Sequence, residues 1–429
     1  MNLHCAGSAF VDIIVERLDC GVAKISLLER MDIERTNRID LPDVIQSFLR
    51  RLFHLAALIG LPVLSLSGQI DTSRTLTSVV AALDSAAEVQ GFSGVFLFAA
   101  LDGQGGRVLD ARSHGIADRA SAAPVTLGTQ FITASTAKSL TAVAILRLVQ
   151  EHRISLDEKI GHYLPDSLFP AARGNEITAR ELLTHTAGMG DLVRSPAFRT
   201  APESFTSLRQ LLMLIRKEPA VGPIGAFRYG DSDYLLLGAI IEQVTGRSFA
   251  DAMDDLVFRP ADMAHSGFHI WPRPPGLAHG YTTRRLGAVT YPNARDSSAP
   301  LAANDPILPR VGVPGSVAYT TAEDLMRFAD GLATGRLLAE PQVRDLWSGH
   351  VETGQGDQNA ANAGYGLGFF VGKAGRQRLI NHGGTGPGID VAFDIYPDLR
   401  YAFIALSNED PPGAQQLRSL VRQALSRLP

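Results

Sequence analysis

The sequence predicts an α/β fold in which one sheet is completed by the two ends of the chain. Three observations carry this. Short apolar segments with strand character stand near residue 94 and again between residues 366 and 407; helical periodicity fills the ground between them; and no internal repeat or low-complexity tract interrupts the pattern. With 45% hydrophobic residues in 429, there is apolar material for one large domain or two ordinary ones.

Taken in order, the chain begins with residues 1–49, where acidic residues are scattered without clear periodicity. Residues 50–67 have the three parts of a signal peptide: Arg50-Arg51, the apolar run Leu52 to Leu66 broken by Pro62, and small residues near Ser67. The apolar run is too short for a membrane span, which needs about 20 residues. These features predict export to the periplasm or beyond, processing near Gly68 with no stable membrane span afterwards, and a true start near Leu49 or at Met31, so that residues 1–49 are an extension. The folded domain is expected over 74–429.

A helix is predicted from Leu76 to Ala87, then a strand at Gly94–Ala100, a turn at Asp102–Gly106 and a second strand near Arg107–Ser113, which together read as a hairpin. Helical periodicity returns at Ser135–Glu151, Asp233–Gln243, Thr321–Leu332 and Ala414–Leu428. Strands are predicted at Gly366–Gly372, Arg378–His382, Asp390–Tyr396 and Tyr401–Ser407, separated by Gly, Pro or Asp turns as in a meander. Residues 150–350 then form an inserted, mostly helical region. Within it, Trp271 to Pro309 holds seven prolines and reads as a long ordered loop.

Charge and cysteine usage exclude several classes of function. A net charge of -4 leaves no basic excess for phosphates, so nucleic acid is not an expected partner. Both cysteines, Cys5 and Cys20, precede the predicted domain, which must work without a disulfide, a thiolate metal site or a cysteine nucleophile. Arginine outnumbers lysine 35 to 5, so each lysine stands where arginine is the rule.

One of the five lysines completes the chain's single S-x-x-K, Ser135-Thr-Ala-Lys138, at the start of a helix. A spacing of three puts both side chains on one face of the first turn. A serine hydroxyl needs a base to take its proton, and a lysine can serve only if its pKa falls from about 10.4, as burial and a helix N-terminus would both make it do. Arginine could not, because it stays protonated. Next, Tyr229-Gly-Asp231 precedes a helix; its phenol can pass a proton if positive neighbours lower its pKa from about 10. Third, His382-Gly383-Gly384-Thr385 follows a strand, where glycines let a substrate lie against backbone and a histidine can donate. Taken alone, that stretch reads as a Gly-rich turn.

Together and in this order, the motifs resemble those of the serine β-lactamase and penicillin-binding-protein superfamily, in the branch with class C β-lactamases, D-alanyl-D-alanine carboxypeptidases and β-lactamase-like esterases. The resemblance runs from about Leu76 to the C-terminus and includes Thr178 to Met189, Phe258 to Met263, Tyr319 to Asp324 and Tyr365-Gly-Leu-Gly368. It implies a β-lactamase/transpeptidase-like antiparallel sheet flanked by helices. It also implies acyl transfer, with Ser135 as nucleophile and Lys138 and Tyr229 as the proton-handling pair. The oxyanion hole would be the backbone N–H groups of Ser135 and Thr385. Asp231, His382, Gly383, Gly384 and Thr385 would line the substrate, a small ester or amide. Which of Lys138 and Tyr229 is the base stays open, and His185 reads as structural. Neither a cofactor nor a metal is called for.

Two departures bear on substrate. Class C enzymes carry asparagine where this chain has Asp231, and lysine where it has His382. An anionic Asp231 repels a substrate carboxylate, and a neutral histidine attracts it less than lysine. Both favour esterase or D-amino-acid peptidase work over efficient β-lactam hydrolysis. The competing functions are a β-lactamase and a non-catalytic, penicillin-binding-like sensor of cell-wall fragments, against which the intact Ser135, Lys138 and Tyr229 argue. The glycine runs at 364–368 and 384–388 lack the G-x-G-x-x-G spacing of a nucleotide-binding oxidoreductase. There is no G-x-S-x-G elbow of an α/β-hydrolase. A zinc site at His265 and His269 would need a third ligand and a helix to align them, and Gly267 between them speaks for a turn.

Overall fold

The structure, a computed structural model, describes residues 72–217, 220–283, 300–354 and 361–428. The expected extension at 1–49 and signal peptide at 50–67 lie outside these residues. Helix α1 (Thr72–Gln90) leads into strands β1 (Gly94–Ala100) and β2 (Arg107–His114). The helical stretch that follows includes α2 (Ala137–Gln150), α3 (Ala179–Leu183), α4 (Leu208–Ile215), α5 (Ser232–Thr245) and α6 (Ala322–Ala333). The last third holds β3 (Val351–Glu352), β4 (Ala361–Tyr365), β5 (Phe370–Ala374), β6 (Gln377–Gly386), β7 (Ile389–Tyr396), β8 (Tyr401–Ser407) and helix α7 (Gly413–Leu425).

The eight strands form one antiparallel sheet in the order β2-β1-β8-β7-β6-β5-β4-β3. Its centre joins the two ends of the domain, β1 pairing with β8 from Gly94 opposite Ser407 to Ala100 opposite Tyr401. Side chains alternate across a strand. On β1, Phe96 and Phe98 therefore enter one core with Leu83 of α1 and Leu417 and Val421 of α7, while Val95 and Leu97 enter the other with α2 and α5. A sheet covered on both faces has no polar side, which is why β1 and β8 read as continuous apolar runs.

Helix α2 is buried from Ala137 to Leu146, a placement that requires its small residues. Ser139 Oγ donates to Gly368 O (2.8 Å) and Thr141 Oγ1 to Pro314 O (2.7 Å), fixing the helix between the sheet and the 313–317 turn. Elsewhere Thr178 and Glu181 make a capping box at α3, and Thr321 caps α6 by accepting from Asp324 N.

Two expected strands differ from the structure. Gly366–Gly372 is not one strand: β4 ends at Tyr365, and residues 366–369 turn the chain into β5. Gly368 has φ +82°, and a Cβ there would stand 2.6 Å from Ala142 Cβ on α2. A residue free of side chain lets this turn sit against the helix. The strand expected to end at His382 continues to Gly386, so the glycine run is strand rather than turn.

Candidate active site

The nucleophile's position is set by backbone. Residues 134–136 form a single 3₁₀ turn ahead of α2, and Ala134 has φ +44°, an uncommon value for a residue with a side chain. Strand β6 lies against this turn. A Cβ on Gly384 would come within 2.5 Å of Ala134 Cβ and of Ser135 N, so only glycine permits the approach. The pairing of β5 with β6 stops at Phe370 opposite Asn381, whereas β6 pairs with β7 through Gly386. From His382 onward that edge of β6 has no strand neighbour among the described residues and runs beside Ser135. Thr385, opposite Asp390 in the ladder, is exposed there, and Gly383 is half-buried.

Lys138 is wholly buried, and its Nζ donates to three acceptors: Ser135 Oγ (3.3 Å), Gly315 O (2.8 Å) and Asp231 Oδ1. An ammonium has three N–H donors and no lone pair, a number these acceptors match, and the Tyr229 phenol is a further neighbour of the same nitrogen. The expectation that Lys138 is driven toward the neutral amine is therefore corrected. Burial does push its pKa down, but the Asp231 carboxylate and Tyr229 outweigh burial and raise it above the ordinary lysine value.

Asp231 also takes a different part from the one expected. It occupies the N-cap of α5 yet makes no capping bond, because its buried carboxylate is turned onto Lys138. Its own N–H is held by Asp191 Oδ1 (3.1 Å). The carboxylate expected to face substrate is thus buried and turned onto the lysine, whose pKa it raises. Gly315, which sequence reasoning missed, belongs to the site through its carbonyl, and its residue type gave no signal of that.

Tyr229 keeps 36% of its surface open. Its ring packs against His185 (centroids 4.5 Å apart), Phe370 (6.2 Å), Tyr365 (6.3 Å) and His382 (6.3 Å), and Lys138 Nζ lies 4.6 Å from its centroid. Enclosure raises the phenol's pKa; the Lys138 cation pulls it back and Asp231 pushes it up, leaving it above the ordinary value. A hydrogen bond from Ser135 favours the phenolate. The Ser135 hydroxyl, the Lys138 nitrogen and the Tyr229 phenol are thus brought together in one place.

His382, expected to face substrate, is 1% exposed. Its Nδ1–H donates to Gly383 O (2.8 Å) and its Nε2 accepts from Tyr365 Oη (3.3 Å), which defines one neutral tautomer. Burial, with Lys138 nearby, lowers its pKa to about 3, so it brings no positive charge to a substrate near neutrality. It forms the wall behind Tyr229 instead. His185, read from the sequence as structural, is buried. The two histidines weighed for zinc part company: His269 meets Asp251 (3.2 Å) and Asp254 (3.7 Å) in a partly exposed cluster, while the backbone N–H of His265 bonds to Asp324.

The site thus unites the start of α2, the entry to α5 and that edge of β6 around one hydroxyl. Comparison with known proteins agrees with that arrangement. A crystal structure of a penicillin-binding protein from Bacillus halodurans superimposes with a TM-score of 0.67 at 26% identity, covering 79% of this chain and 98% of that one. A D-amino acid amidase from Ochrobactrum anthropi SV3 has a TM-score of 0.68 at 20% identity, covering 82% and 98%, a likeness of fold alone. Esterase EstB of Burkholderia gladioli is 33% identical over 175 residues, 38% of this chain and 44% of that enzyme. The chain spans 66% and 68% of the length of two Bacillus subtilis (strain 168) relatives named as penicillin-binding proteins. The sequence profile described as Beta-lactamase matches residues 81–426, and the chain belongs to the beta-lactamase family.

Proposed function

We propose that this chain is a serine hydrolase that cleaves small esters or D-amino-acid amides through an acyl-enzyme on Ser135. The observation that carries the reading is the position of Ser135 Oγ between Tyr229, the buried Lys138 cation and the edge of β6. As a phenolate, Tyr229 takes the hydroxyl proton while Oγ adds to the substrate carbonyl. The resulting oxyanion is received by the N–H groups of Ser135 and Thr385. Tyr229 then gives the proton to the leaving alcohol or amine, and the C–O or C–N bond breaks. Water repeats the sequence: it loses a proton to Tyr229, attacks the acyl carbon, and Ser135 recovers that proton as the acid leaves. Lys138, held charged by Asp231, stabilises the phenolate throughout.

Esters and amides that lack a carboxylate suit this site better than β-lactams. Asp231 is committed to Lys138, His382 is neutral and buried, and neither presents positive charge to an anionic substrate. The loop before Tyr229 adds exposed aliphatic groups at Val221 and Ile224. The test is a kinetic panel of short-chain p-nitrophenyl esters, a D-amino-acid amide, a D-Ala-D-Ala peptide, benzylpenicillin and a cephalosporin. Higher kcat/KM on the ester or amide than on either β-lactam is expected; the reverse order overturns the substrate assignment, and no turnover of any overturns the enzyme. Export belongs to the same proposal. No helix among the described residues is long and apolar enough to cross a membrane, and the exported chain should begin near Gly68 when its N-terminus is sequenced.

A further inference from the structure

Behind Tyr229 lies a buried pair that the proposed chemistry does not use. His185 Nδ1 is 2.8 Å from Asp233 Oδ2, and both residues are buried. His185 also reaches Tyr229 by two other routes. Its ring stands 4.5 Å from the Tyr229 ring, and its carbonyl accepts the N–H of Arg228, the residue just before Tyr229 (2.8 Å). Asp233 lies four residues after Tyr229, in the first turn of α5. One histidine therefore ties down the chain on both sides of the phenol. The tie continues outward, where Thr186 O and Gly188 O accept from Gly225 N and Val221 N. His185 itself has φ +57°, a left-handed backbone that costs energy for a residue with a side chain and persists where its surroundings demand it.

We propose that His185, held by Asp233, is a positioning residue for Tyr229: its ring and its carbonyl fix the phenol beside Ser135 and Lys138. This rests on the serine-hydrolase reading only for its kinetic arm. The geometry of the pair, a 2.8 Å contact between two buried groups, is accompanied by shifts that disfavour the charged form of each. Burial raises the Asp233 pKa well above the ordinary carboxylate value, and burial together with Lys138 and His382 lowers that of His185. The other titratable groups facing the pair are Lys138 from α2, Asp191, Asp231, Tyr229 and Tyr234 around the entry to α5, Tyr365 from β4 and His382 from β6. Lys138 is the positive member, so a charged imidazolium beside it would be repelled. A neutral ring is not.

The test compares His185→Asn, which keeps an amide for Asp233 but removes the ring, with Asp233→Asn, which keeps a hydrogen bond to the ring, and Asp233→Leu, which releases it. Two readouts are taken. The first is the rate at which a fluorophosphonate labels Ser135 across the neutral and alkaline range, normalised to folded protein. The second is the titration of Tyr229 by ring-carbon NMR, identified among the nine tyrosines by its loss in Tyr229→Phe. Misplacing a reacting group by about 1 Å costs about 100-fold. His185→Asn should therefore slow labelling by about that factor and shift both the pH profile and the Tyr229 titration. Asp233→Leu should shift both in the same direction by less, and Asp233→Asn should stay near wild type. If His185→Asn does not fold, Asp233→Leu decides. Labelling, pH profile and titration all unchanged in the variant that is read would overturn the proposal. So would a slower rate with the profile and titration intact, which would make the pair merely structural. A wild type that takes no label would count against the serine-hydrolase reading instead, and the Tyr229 titration would then decide this inference alone.

Discussion

Asp231 and Lys138 form a buried ion pair whose members cannot be exchanged singly. Changing Asp231 to Asn removes the negative partner and leaves a buried cation with neutral acceptors alone, among them Gly315 O and Ser135 Oγ. Removing one partner of a buried pair costs about 3 kcal/mol or more, so this variant should lose that much in a denaturant titration and most of its turnover. Unchanged stability would show that the carboxylate does not hold the lysine. Tyr229 gives a second expectation. Its pKa lies above the ordinary value, so the phenolate is a minor form near neutrality. If the phenolate is the base, kcat/KM should climb through the neutral and alkaline range toward that pKa; a plateau reached below neutrality would assign the proton transfer elsewhere. His382 gives a third. Its pKa in the folded chain is lowered to about 3, against about 6.5 unfolded. Its contribution to stability is therefore complete above the unfolded value and is lost as pH falls toward the folded one. Between those limits wild type should lose about 1.4 kcal/mol per pH unit more than His382→Gln. Equal acid slopes would mean that His382 is protonated in the folded chain.

At the scale of the element, β6 against the turn at Ser135 is the contact on which the site depends. Gly384→Ala would place a methyl group 2.5 Å from Ser135 N, so strand or turn must move. We expect acylation to fall far more than stability, which overpacking of this kind lowers by about 1–3 kcal/mol. An alanine variant that acylates normally would show that β6 does not form the site's wall. The same strand shows what was legible in the sequence. The helices and the β1–β2 hairpin followed from apolar period, and Ser135, Lys138 and Tyr229 from the order and spacing of their motifs. The length of β6 did not follow, because a run of glycines reads locally as a turn, and what keeps it extended is pairing with β7, far from any local preference. The Gly366–Gly372 strand failed for the converse reason: its apolar residues are shared between a turn packed on α2 and the start of β5. Burial of Asp231 and His382 was equally hidden, since polar residues beside a motif look available to substrate until their partners Lys138 and Tyr365 are in place.

At the scale of the whole molecule, catalysis is proposed for residues that the chain separates widely. Ser135 and Lys138 begin a helix buried between the sheet and the helical region, Tyr229 enters from the middle of the chain, and Gly384 arrives on a strand whose sheet is closed by β1 and β8 from opposite ends of the domain. Forming that β1–β8 pair brings together residues about 300 apart in sequence, so the nucleophile should gain its reactivity only with the complete fold. The central claim is that Ser135 becomes covalently acylated. Intact-mass spectrometry after exposure to p-nitrophenyl acetate or a fluorophosphonate, followed by peptide mapping, tests it most directly. The account predicts a single adduct on the peptide containing Ser135 in the native chain, and none after denaturation or in Ser135→Ala. An adduct on another residue, or an equal adduct in Ser135→Ala, would contradict it.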